Sequence, residues 1–146
     1  MIGYKSTAAY SQDIPPGFDL LYPTIVLQIE ANGYRGDFIG AFYNPAAEVM
    51  AANMKKMADL DSLKMITLPV PLAQMSLMTD LLRSDHRVFW AAGYPAIMIS
   101  DTGDFRNPSY HCTIGEDTLD SIDFDFARKT VRAVTESARI ALNPAM

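Results

Sequence analysis

The sequence is poor in the side chains on which most metal and redox chemistry depends. It has one cysteine, Cys112, and only two histidines, His86 and His111, in 146 residues. A single cysteine excludes an internal disulfide. No pair of histidines or cysteines stands at a zinc-binding spacing, and there is no phosphate-binding glycine loop and no G-x-S-x-G nucleophile turn. Basic residues are outnumbered, with 12 Lys and Arg against 17 Asp and Glu and a net charge of -5. That balance argues against nucleic acid or an anionic membrane as partner, since both need a basic face. No apolar run approaches the ~20 residues of a membrane-spanning helix. Met1 to Tyr10 lacks the basic start and apolar stretch of a signal peptide, so the sequence leaves the compartment open.

What is present is the composition of a globular domain: 49% hydrophobic and 20% charged residues. The length suits one domain over residues 1–146, large enough to hide roughly two-thirds of its unfolded surface. Met1-Ile2-Gly3-Tyr4 reads as the end of a buried strand. Ser11 to Gly17 is a loop, because tandem prolines forbid regular helix. Ile25 to Ala31 is a helix or a strand; periodicity leaves both open. Asp37 to Tyr43 and Lys64 to Val70 read as strands. Ala46 to Leu60 reads as a helix with Val49, Met50, Ala52, Asn53, Met57 and Leu60 along its apolar face. Leu72 to Leu82 is a short helix or a lid loop. His86 to Ala92 is a helix stopped by Gly93. Pro95 to Ser100 is a continuous apolar run, as central strands of α/β sheets are. Thr102 to Asp117 is polar and irregular. Asp123 is a good N-cap for a last helix with Phe124, Ala127, Val131, Val134, Ala138 and Ala141 as its stripe. Strands alternating with helices give an α/β class.

Two polar clusters carry the histidines: Arg83-Ser84-Asp85-His86, and Arg106-Asn107-Pro108-Ser109-Tyr110-His111. The run Pro95 to Ser100 joins them and feeds the second cluster from its C-terminal end, where sites gather in open α/β sheets. A lone loop histidine also serves commonly as an ordinary surface group, and Asp85 suits a simple helix cap. Cys112 follows His111, but neighbouring side chains point apart, which disfavours direct activation of the thiol. Methionines 50, 54, 57, 75 and 78 suit core filling.

Ser84-Asp85-His86-x-x-Phe89-Trp90-x-x-Gly93-x-Pro95-Ala96 resembles a segment of the co-catalytic zinc aminopeptidases, a family with leucyl-aminopeptidase, glutamate-carboxypeptidase-like and glutaminyl-cyclase-like branches. Asp101-Thr102 through Arg106-Asn107-Pro108-x-Tyr110-His111 resembles the same family's histidine loop, and Asp117-Thr118-Leu119-Asp120 its continuation into the last helix. Met1-Ile2-Gly3-Tyr4 is similar to the tail of one of its strands. The resemblance implies a three-layer αβα fold around a mixed sheet, of which this chain holds part. It also implies a site with two zinc ions and a peptide substrate. His111 maps to a zinc ligand, Tyr110 to a donor toward the developing oxyanion, and Arg83 to a group binding substrate or transition state. Ser84, Asp85, His86 and Asn107 map to residues that orient the site.

The family's other zinc ligands and its glutamate base have no counterpart in these residues. The expectation is therefore the C-terminal half of a zinc aminopeptidase-type domain, inactive as an isolated chain and holding zinc weakly. Self-association, or pairing with an N-terminal half, is expected as well. A binding or structural remnant of the fold and a glutaminyl-cyclase-like acyltransferase are the alternatives. Met75, Met78 and Phe105 are candidates for a specificity pocket.

Overall fold

The computed structural model describes residues 1–71, 73 and 77–143. Two short helices come first, α1 (Phe18–Leu21) and α2 (Pro23–Ala31). Pro23 opens α2, where its missing N–H costs nothing. The alternative left open by periodicity is thus resolved as helix. Then follow β1 (Ile39–Tyr43), α3 (Glu48–Leu60), β2 (Met65–Pro69), α4 (His86–Ala91), β3 (Ile97–Ser100) and α5 (Phe124–Leu142). Among the described residues the strands form one mixed sheet in the order β2-β1-β3. β1 and β2 run parallel, Ile39 opposite Met65, and β3 runs antiparallel to β1, Gly40 opposite Ser100.

Alternation along the strands builds two cores, one on each side of the sheet. Ile39, Ala41 and Met65, with the half-buried Ile97 and Ile99, face Met54 and Ala58 of α3 and Phe126 and Ala133 of α5. Phe38, Phe42, Ile66, Leu68 and Met98 face the other way, onto Ile29 of α2, Trp90 of α4 and residues of α1. Period-two side chains on a sheet with helices on both faces give the α/β class expected from the sequence.

The expected apolar faces of the two long helices are corrected in part: Met57 and Val134 pack against the core as expected, but the fully buried positions are others. α3 buries Ala51, Met54 and Ala58, while Val49 and Leu60 are exposed. α5 buries Phe126, Thr130, Ala133 and Ser137, while Phe124 and Val131 face outward. Small residues win because α3 and α5 pack closely, and bulk would hold them apart. The two buried hydroxyls are satisfied: Thr130 Oγ1 donates to the Phe126 carbonyl at 2.9 Å and Ser137 Oγ to the Met50 carbonyl on α3 at 3.2 Å.

Two strand expectations are also corrected. Met1 to Tyr4 forms no strand; it is partly exposed and holds one isolated bridge, Tyr4 to Ile122. β3 is an edge strand of the described sheet and only half-buried at Ile97 to Ile99. Its run is apolar throughout because cores lie on both faces, and that pattern does not report how many strands pair with it. Of Leu72 to Leu82, residues 72 and 74–76 lie outside the described set, and Thr79–Leu82 makes a 3-10 turn.

The start of α5 behaves as read. Asp123 accepts a hydrogen bond from the Phe126 N–H at 2.9 Å and pairs with Lys5 at 3.2 Å, which also ties the N-terminal segment to the helix. The bond from Phe126, aided by Lys5, holds this carboxyl below the usual aspartate range. Asp123→Ala should lower stability by about 1 kcal/mol, read as a reduced urea midpoint with an unchanged slope.

Candidate functional site

β3 ends at Ser100, and the chain then turns sharply. Thr102 and Gly103 both adopt left-handed backbone, at φ 72 and 54. Glycine suits position 103 on two counts, since left-handed backbone strains other residues and a Cβ would crowd the Tyr110 ring at 3.2 Å. The turn is held by Asp101, whose carboxylate is only 1% exposed. Its Oδ1 accepts from the Gly103 N–H at 3.2 Å, and its Oδ2 from the N–H groups of Gly3 and Tyr4 at 3.0 and 2.9 Å. Its own N–H donates to the Met1 carbonyl at 3.0 Å. One side chain therefore joins the N-terminal segment, the end of β3 and the loop that follows.

Arg106 is the second anchor. Its Nε donates to Gln12 Oε1 at 2.9 Å, its Nη1 donates to the Phe38 carbonyl at 2.7 Å, and its guanidinium lies 4.6 Å from the centre of the Phe38 ring. Burial pushes it down to about 10, against the pull of Asp101, Asp37 and Tyr4, so it stays charged at neutral pH. A Cβ on Gly36 would meet its Cδ at 2.6 Å, so Gly36 makes room for it. Its Nη2, like Nδ2 of the neighbouring Asn107, has no hydrogen-bond partner among the described residues.

The loop so anchored presents Tyr110 and His111. His111 and Cys112 are both left-handed, at φ 54 and 58, an unfavourable conformation for such side chains. That twist brings the Tyr110 and His111 rings edge to face, 4.2 Å between centres. His111 is exposed and Tyr110 half-buried. Tyr110 borders a cleft of about 420 Å³ whose floor is Gly40, Phe42, Met98 and Ser100. Its inner wall is apolar, from α1, α2 and Met78, and its mouth carries Asp13, Asp80, Asp104 and Arg83. Such a lining suits a ligand with an apolar body and a polar end.

The residues singled out from the sequence divide between places. Arg83, Ser84 and Tyr110 share the cleft. Met78 and Phe105 line it too, whereas Met75 lies outside the described residues. Asn107 is buried behind the loop and accepts from the Ser109 N–H at 3.0 Å. Asp85 stands at the start of α4 without a side-chain capping bond. His86 is buried edge-on to Trp90, 4.3 Å between ring centres, and neither ring nitrogen makes a well-formed hydrogen bond among the described residues. Sequence reasoning missed Gln12, Asp80 and Asp104. Their partners lie 90, 3 and 21 positions away, and only the pair Asp80–Arg83 shows a local spacing. Among the described residues no three His, Cys, Asp or Glu side chains converge where they could hold a metal ion.

Comparison with known proteins adds one relative of interest. The chain is 33% identical over 137 residues to "Uncharacterized protein YfbL" of Escherichia coli strain K12; the match covers 92% of this chain and 37% of that protein. The chain thus spans well under half the length of the relative. No protein-family profile matches the chain. No solved structure matches it.

Two outcomes test this geometry. Asp101→Asn places an N–H₂ group where a carboxylate accepts bonds on both oxygens. It should cost about 2–3 kcal/mol in urea unfolding and speed amide exchange at Gly3 and Tyr4. His86 gives a pH dependence. Burial lowers its affinity for a proton, offset in part by the Leu81 backbone and Asp85. The folded chain keeps it neutral where the unfolded chain takes up a proton, so stability is full above about pH 6.5 and falls as the pH drops below. His86→Phe should flatten the urea-midpoint profile across that window.

Proposed function

We propose that this chain is part of a zinc-dependent, aminopeptidase-type hydrolase, supplying His111 as one zinc donor, Tyr110 as a hydroxyl donor toward an oxyanion, and the apolar cleft as the seat of a substrate side chain. The observation that carries this reading is the joining of Tyr110 to an apolar cleft on one side and to His111 on the other. Agreement in order of the motifs from Ser84 to Asp120 supports it.

The described residues do not fit a zinc ion by themselves. A catalytic zinc takes about three protein donors, and among the described residues no two further donors converge with His111. The remaining donors would come from outside this chain, as part of a longer polypeptide or from a partner. The edge of β3, unpaired among the described residues, offers a backbone ladder for such a partner's strand. What Tyr110 would do is independent of where those donors reside: its hydroxyl, beside the cleft, would stabilise charge growing on a carbonyl oxygen. A non-catalytic binding role on the same scaffold is the second reading, favoured by the absence of three converging metal donors among the described residues.

Zinc added to the chain should shift the imidazole signals of His111 and leave the buried His86 unmoved. The binding should be too weak to survive a chelator. Fused to the part of the Escherichia coli relative that the chain does not match, it should gain bound zinc and release the terminal residue of leucyl-p-nitroanilide. Tyr110→Phe in that fusion should then lower kcat about 10²–10³-fold with the zinc content retained. Stoichiometric nanomolar zinc on the chain alone, or a fusion that holds zinc without any hydrolysis, would reject the proposal.

A further inference from the structure

Among the described residues five aromatic side chains line the cleft: Phe18 of α1, Phe38 and Phe42 along the sheet, and Phe105 and Tyr110 after β3. Phe38 and Phe42 are buried in the sheet, whereas Phe18, Phe105 and Tyr110 are half-buried and stay partly accessible. The thioethers of Met78 and Met98 line the cleft as well. Aromatic rings attract one another beyond the area they bury, and sulfur adds to that attraction. A purely aliphatic lining would offer neither. Room is ample: the cleft holds about 420 Å³, where a dry cavity of about 150 Å³ already admits benzene.

The depth of the cleft turns on a glycine. Gly40 and Phe42 lie two positions apart on the cleft face of β1. The outer edge of the Phe42 ring rests over Gly40: a Cβ there would meet Cε2 at 2.7 Å and Cζ at 3.0 Å. Sideways movement of the ring is blocked, because its cross-strand neighbours Leu68 and Met98 pack in the same core. The cleft is the open side. A side chain at position 40 therefore lifts the ring into the cleft. We infer that the cleft is an aromatic seat, taking a substrate side chain with a phenyl- or indole-sized ring, and that Gly40 sets its depth by letting Phe42 lie back on the sheet. This inference rests on the proposed use of the cleft as the seat of a substrate side chain, and not on zinc.

Two neutral probes separate a ring's aromaticity from its bulk: N-acetyl-phenylalaninamide and N-acetyl-cyclohexylalaninamide. The second is as large and more apolar, so burial alone favours it. Titrations of the chain would be read on the methyl signals of Met78 and Met98. The phenylalanine amide should bind about three- to tenfold more tightly. Gly40→Ala should weaken both amides about five- to tenfold. Adding Phe42→Leu removes the displaced ring. It should return the cyclohexylalanine amide to near its wild-type affinity and narrow the preference for the phenylalanine amide. Equal affinities in the wild type, or a tighter cyclohexylalanine amide, overturn the aromatic seat and leave an apolar cleft standing. A folded Gly40→Ala chain that binds both amides as the wild type does overturns the role of Gly40. If that variant does not fold, Phe42→Leu alone decides, and an undiminished preference for the phenylalanine amide overturns the part given to Phe42. Neither amide moving the two methyl signals at millimolar concentration overturns the cleft reading and the seat together.

Discussion

The buried carboxylate of Asp101 is the constraint on which the rest of the site depends. A charge this deep is tolerable only when its oxygens are fully hydrogen-bonded. Asp101 meets that demand with three backbone N–H groups drawn from two distant parts of the chain. Satisfying it fixes the N-terminal segment against the end of β3 and bends the following turn into left-handed backbone. Arg106 answers from the same loop, reaching Gln12, Tyr4 and Phe38, so the polar centre of the molecule is one connected network.

From that network the geometry of the candidate site follows. The turn at Thr102 and Gly103 seats the Tyr110 ring where a Cβ on Gly103 would crowd it. The left-handed pair His111 and Cys112 then folds the imidazole back onto Tyr110. Strained backbone held by a rigid scaffold is a familiar property of functional loops. Here the scaffold is the sheet, with an aromatic and aliphatic core on the cleft side and a core rich in small residues under α3 and α5.

Much of the layout was legible in the sequence. The strands at Ile39–Tyr43 and Met65–Pro69, the helices α3, α4 and α5, and the Asp123 cap lie where pattern and capping rules put them. These are local properties, set by neighbours within one or two turns. The faces of α3 and α5 were legible only in part: Met57 and Val134 do pack inward, but large apolar residues such as Val49, Phe124 and Val131 suggest burial where close helix packing selects Ala51, Ala58 and Ala133. The site was legible as residue types at Arg83, Tyr110 and His111. Its arrangement was not, since Gln12, Asp101 and Arg106 find partners some 90 or more residues away.

By itself, then, the sequence determined the kind of chain this is: an acidic α/β chain with no disulfide within it and with a polar loop bearing a histidine after an apolar strand. Those features follow from composition and from periodicities of two and 3.6 residues, which act over short spans. Only the tertiary structure decided which face of each helix is inside, that β3 lies at an edge of the described sheet, and that Arg83 and Tyr110 line one cleft. Each of those outcomes depends on side chains far apart in the chain competing for the same buried volume or the same hydrogen bonds, and no local pattern records who wins.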